Sequence, residues 1–123
     1  DIRRVVLCSG KVFYDLEEFR DAEGVTDVTI LRLEQLYPFP HNGLKQELAR
    51  FPNAEVVWCQ EEPENMGAWS FVDRRIEKVL KELDLKNTRP RYVGRPAAAS
   101  PAAGLMSQHQ YEQARLVDEA ITI

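Results

Sequence analysis

Two short stretches hold the residue types that chemistry needs. One is Gln60-Glu61-Glu62, inside the run EVVWCQEEPENMGAW (Glu55–Trp69), where two adjacent carboxylates precede Pro63, Asn65 and Gly67. The other is Ser9-Gly10-Lys11, directly after the apolar run Val5–Cys8. A Gly-containing turn that opens a helix exposes free amide N–H groups to an anion, and Lys11 adds a positive charge. Arg95, at the end of a later apolar run, offers a planar fork suited to phosphate. The same turn is equally explained by geometry, since many strand-to-helix turns contain Gly, and SGK is shorter than the phosphate-loop motif. Glu61 and Glu62 could act as acid and base only if burial or a like charge raised one of them. Otherwise neighbouring carboxylates point different ways, and one caps the following helix.

The remaining reactive residues form no recognisable constellation. His41 and His109 lack Cys, Asp or Glu partners at metal-ligand spacing, which excludes a zinc site. Cys8 and Cys59 both fall in strand-like contexts, where thiols are usually inert, although a redox pair is conceivable. Ser100 and Ser107 have no nucleophile-elbow surroundings. Trp58, Trp69 and Phe71 read as core. Alternatively Trp69 and Phe71, with Tyr37 and Phe39, cover a surface that meets another domain or subunit.

The elements that position these residues follow from periodicity. Val5–Cys8 is a continuous apolar run, as expected of a strand buried on both faces. Val12, Leu16 and Phe19 mark an amphipathic helix that Gly24 stops. Val28–Leu33 is a second strand, and Tyr37-Pro38-Phe39-Pro40 interrupts the chain. Asn42 is the expected N-cap of a short helix with Leu44, Leu48 and Phe51 on its apolar stripe. Val56–Cys59 is a third strand, expected to end at the polar loop. Val72, Ile76, Val79, Leu80 and Leu83 predict the clearest helix, starting near Trp69. Arg91–Gly94 is a fourth strand, and Pro96–Gly104 reads as an irregular connection. A last helix starts near Ser107, with Gln110, Ala114, Val117 and Ile121 on one side.

The β-α-β-α-β-α-β-α order predicts a three-layer α/β/α fold with a mainly parallel sheet. Right-handed crossovers leave a few strand orders; with the order 2-1-3-4 expected here, the switch point lies between the first and third strands. There the turns Cys8–Lys11 and Gln60–Asn65 form one crevice at the carboxyl ends of the strands. The 123 residues suit a single domain, 1–123, with one sizeable core. The net charge is -4 without a basic block, which argues against nucleic acid or an anionic membrane as partner. There is no apolar run near the roughly 20 residues that span a bilayer. Two cysteines in strand contexts suit an intracellular protein. Arg3-Arg4 run straight into the first strand, which predicts a fragment of something longer.

VVLCSGKVFYDL, LRLEQLYPFP, VVWCQEEPENMGAW and YVGRPAAASPAAG, in that order, resemble the C-terminal domain of the 2-oxoglutarate dehydrogenase decarboxylating component, bacterial form. The resemblance runs from about Val5 to Ile121 and implies a Rossmann-like, transketolase C-terminal domain. It further implies a cytoplasmic homodimeric enzyme of the citric acid cycle that uses thiamine diphosphate and magnesium. That enzyme decarboxylates 2-oxoglutarate and succinylates the lipoyl arm of its succinyltransferase partner. Cofactor, metal and substrate residues would lie in other domains, so the chain alone is expected to be inactive. The family's usual fifth strand, ahead of Val5–Cys8, is absent, which would leave that edge open. Some members bind an effector such as AMP or acetyl-CoA, and the crevice residues Ser9, Gly10, Lys11, Gln60, Glu61 and Arg95 are the candidates here. The alternative is a stand-alone module that binds a nucleotide phosphate for regulation.

Overall fold

The computed structural model describes residues 1–97 and 106–122. Its elements run β1 (Arg4–Cys8), α1 (Val12–Ala22), β2 (Val28–Arg32), α2 (His41–Leu48), β3 (Glu55–Pro63), α3 (Trp69–Glu82), β4 (Arg91–Arg95) and α4 (Met106–Ile121). The four strands form one parallel sheet in the order β2-β1-β3-β4, as the alternating pattern predicts.

Side-chain alternation sorts each inner strand between two cores. Val5 and Leu7 of β1, with Val56 and Trp58 of β3, pack under α2 and α3. Val6 and Cys8, with Val57 and Cys59, pack under α1 and α4. A strand covered on both sides reads as a continuous apolar run, as residues 5–8 do, and Arg4 before them is buried too. The helices supply matching stripes: Leu16 from α1, Leu44 and Leu48 from α2, Ile76 and Leu80 from α3, Leu116 and Ile121 from α4. Each such side chain stabilises the fold by about 1.5–3 kcal/mol relative to exposure.

Several details differ from the sequence expectations. β1 pairs with β2 on one side and β3 on the other, so it is an inner strand and leaves no open edge of its own. β3 does not stop at Cys59. It continues through Gln60–Pro63, shifts register, and pairs Pro63 with Arg95, so much of the expected loop is strand. Asn42 sits inside the first turn of α2 rather than capping it; Pro40 takes the cap position, and its carbonyl accepts the Leu44 N–H at 2.9 Å. Phe51 and Leu83 lie just beyond their helices yet pack, half-buried, against the core. On α4 the buried face is Leu116, Val117, Ala120 and Ile121, whereas Gln110 and Ala114 are exposed. Most of the expected Pro96–Gly104 connection, with Ser100, lies outside the described residues.

Two buried arginines fasten α4. At its carboxyl end Arg4 donates through Nη1 to the carbonyls of Glu119 (3.0 Å) and Ala120 (2.9 Å), while its Nε pairs with Glu55 at 2.6 Å. The last carbonyls of a helix have no intrahelical donor, and a cation complements the negative end of its dipole. Arg95 does the corresponding work nearer the start of α4.

Candidate crevice at the carboxyl ends of the strands

Gln60 organises the turn after β3. Its Oε1 accepts the Trp58 Nε1–H at 2.9 Å and the Trp69 backbone N–H at 3.0 Å, the first residue of α3. Its Nε2 donates to the carbonyls of Pro63 (2.9 Å), Met66 (2.8 Å) and Glu62 (3.2 Å). One amide therefore closes the turn and caps the helix, a task expected of Glu61 or Glu62. Burying an amide costs several kcal/mol unless it is bonded, and here both ends are bonded. The turn is tight enough to require glycine at Gly67. That residue has φ +67°, and a Cβ there would lie 3.0 Å from Glu62 Oε1. Gly94, opposite, leaves room for the Tyr92 hydroxyl and the Gln60 carbonyl, which a Cβ would approach to 2.5 and 2.7 Å.

The two carboxylates diverge, as strand alternation requires. Glu62 faces a cavity of about 210 Å³ shared with Ser9, Gly10, Trp58 and Gln60. Glu61 faces α4, where its Oε1 accepts from Gln113 Nε2 at 3.2 Å. Its carbonyl accepts from Arg95 Nη1. Arg95 is buried and its fork is engaged: Nε donates to Glu112 at 2.9 Å, and Nη2 lies 3.2 Å from His109 Nδ1 and 3.3 Å from Gln113 Oε1. The six candidate residues thus fall into two groups. Ser9, Gly10 and Gln60 line the cavity. Lys11, exposed, stands at the N-terminus of α1 beside it. Glu61 and Arg95 belong to the polar cluster under α4. The Gln60 and Arg95 side chains hold protein structure, a role their positions in the sequence did not signal. The signals that could have found it are the two glycines, Gly67 and Gly94, which mark close backbone approach on either side of Gln60.

Electrostatics leaves the thiols inert. Cys8 and Cys59 are free and fully buried. Burial pushes Cys8 up to about 12 despite the Arg32 charge, and pushes Cys59 up further, helped by Cys8. Both are protonated at neutral pH, and a thiol rather than a thiolate is a poor nucleophile. Tyr92 is also raised to about 12, first by burial and then by the Glu64 charge. Its hydroxyl lies 2.6 Å from the Arg95 carbonyl. His41 pairs with Glu82 on the surface at 2.8 Å, far along the chain from His109 beside Arg95. Among the described residues no group of three His, Cys, Asp or Glu side chains could hold a metal ion. None of their helices is long and apolar enough to cross a membrane. Trp58 is buried, Trp69 and Phe71 pack partly into the core, and Tyr37 stays exposed, edge-on to Phe71 at 6.4 Å.

The model of the 2-oxoglutarate dehydrogenase C-terminal family matches residues 1–121. The 2-oxoglutarate dehydrogenase E1 components of Brucella anthropi, Brucella ovis and Brucella suis are each 62% identical over 120 residues, 98% of this chain. The chain spans 12% of the length of these relatives. A solved structure of a sigma-54 interaction domain protein from Enterococcus faecalis aligns over 100% of this chain and 98% of its own. At 11% identity and a TM-score of 0.43 it is too distant to bear on fold or function. The match over residues 1–121, together with the identity to the E1 components, places this chain in the family of 2-oxoglutarate dehydrogenase C-terminal domains.

Proposed function

We propose that residues 1–123 form the C-terminal domain of a 2-oxoglutarate dehydrogenase E1 component in the bacterial cytoplasm. The observation that carries this reading is the 62% identity across 98% of the chain to proteins of that name. The whole enzyme would use thiamine diphosphate and magnesium to decarboxylate 2-oxoglutarate. It would then pass the succinyl group to the lipoyl arm of the succinyltransferase partner in the citric acid cycle. The described residues do not fit that cofactor: they offer no carboxylate cluster for the metal, and the buried polar groups Gln60 and Arg95 are engaged by the protein. The chain alone is therefore expected to show no turnover. Its part is to support a homodimer, and removing it from the complete enzyme should abolish dimer or activity. A dimer with full activity after removal would refute this.

The crevice is proposed to take the phosphate of an effector such as AMP or acetyl-CoA. Ser9 and Gly10 line its wall, Lys11 supplies charge at the start of α1, and Gln60 shapes the floor. Glu61 and Arg95 act from behind, by fixing the end of β3 against α4. Calorimetric titration with AMP and acetyl-CoA tests this. Binding by the chain alone favours a complete regulatory site here, and binding only by the intact dimer means that other domains finish it. Lys11→Ala should weaken affinity about tenfold, the size of one charge-assisted hydrogen bond. An unchanged value removes Lys11 from the site.

A further inference from the structure

The acidity of this chain is not spread evenly. Of the two helical layers, that of α1 and α4 carries most of it. Asp15, Glu17, Glu18 and Asp21 stand against Arg20 on α1, and Glu112, Asp118 and Glu119 against Arg115 on α4. On the opposite layer, Arg74, Arg75, Lys78 and Lys81 of α3 outnumber Asp73, Glu77 and Glu82. Between α1 and α4 lies a groove of about 460 Å³. Phe19, Ala22, Ala114 and Val117 form its apolar lining, Asp15 and Glu18 supply its charge, and neither lysine nor arginine lines it. Gln113 crosses one end, donating to Asp15 at 2.9 Å.

This combination explains why the stripe Gln110–Ala114–Val117–Ile121 is only half buried. Val117 and Ile121 reach the sheet core, but Ala114 stays exposed beside the groove. The small Ala22 and Ala114 keep the two helices from filling the space between them. An apolar floor edged by carboxylates is complementary to a bulky apolar side chain flanked by cations. We propose that the α1/α4 groove docks a cationic amphipathic segment of a partner protein, a Leu- or Phe-type anchor entering beside Ala114 with Lys or Arg on either side. The groove residues Gln113 and His109 contact Arg95, and Gln113 also Glu61, but none of the groove's lining residues lines the crevice cavity, so the peptide is predicted to bind without any effector present.

The probe is a labelled 14-residue amphipathic Leu/Lys peptide, read by fluorescence anisotropy on the full chain at two ionic strengths. Asp15→Lys with Glu18→Lys, and separately Ala114→Arg, should each weaken binding about tenfold or more. The matched pair Glu34→Lys with Glu47→Lys changes net charge equally but lies away from the groove, and should leave binding within about twofold. A peptide with Ser in place of Leu should bind much more weakly. Four results overturn the proposal. They are no binding by the unmodified chain, equal loss in both charge-reversed pairs, equal binding of the Ser peptide, and self-association that the Asp15/Glu18 reversal removes. The last would assign the groove to a second copy. Thermal melting of each variant identifies loss of fold, and Ala114→Arg, which reverses no charge, keeps the test decisive if the paired reversal does not fold.

Discussion

At the residue scale the turn after β3 depends on Gln60 more than on the carboxylates beside it. Replacing it with leucine keeps the volume but strips bonds from the Trp58 Nε1–H, the Trp69 N–H and three carbonyls. Gln60→Leu should destabilise the protein by about 2–4 kcal/mol, since buried groups left unpaired each cost roughly 1–3 kcal/mol. A lower urea midpoint at unchanged slope would show it, and a midpoint equal to wild type would contradict it. Cys8 gives a pH prediction. Its folded value, about 12, lies above its ordinary value of 9.0. The unfolded chain therefore loses this proton first as pH rises. The stabilisation is full below pH 9 and is lost as pH climbs toward 12, with Cys59 and Tyr92 acting in the same direction. Denaturation midpoints measured from pH 8 to 11 should fall, and Cys8→Ala should make the fall shallower.

At the element scale α4 is held by apolar contact at one end and by buried arginines at both. Its buried side chains sit in the last two turns, from Leu116 onward. The rest is held by Arg95, and the carboxyl end by Arg4. Arg4→Met keeps the stem but removes the donors to the last carbonyls, while Glu55, partly exposed, keeps Arg91 at 3.9 Å. The helix carbonyls left without a donor should cost about 1–3 kcal/mol. Hydrogen exchange should quicken first in residues 116–121. Uniform quickening across the sheet would mean that Arg4 serves the strand rather than the helix.

At the scale of the whole molecule, the sheet carries one core on each face and shares its strands between them. Leu80 belongs to the α2/α3 core and Leu16 to the α1/α4 core. Leu80→Ala and Leu16→Ala should each cost about 2–5 kcal/mol. Each should lower one common transition, with Trp58 fluorescence and helix circular dichroism changing together. Separate transitions would mean that the faces fold independently.

Periodicity was enough to indicate the eight elements, their order and a parallel sheet, and right-handed crossovers left 2-1-3-4 among the few strand orders possible, the one observed. Val5–Cys8 and Val56–Cys59 must be buried on both faces, and the stripes Val12/Leu16 and Val72/Ile76/Val79 have one face to bury. The four motifs and their order were likewise enough to indicate the family that the match over residues 1–121 bears out. What periodicity could not decide is where a polar side chain finds its partners, because that depends on groups far away in the chain. Arg95 reads as a free fork until α4 brings Glu112 and Gln113 onto it. Arg4 reads only as the lead-in to the first strand until the carbonyls of Glu119 and Ala120 arrive. Gln60 reads as part of a loop until β4 extends the sheet past it. Those assignments, the half-filled groove beside Ala114 and the division of charge between the two layers are products of tertiary packing. Only packing decides which polar group is paired and which surface is left open.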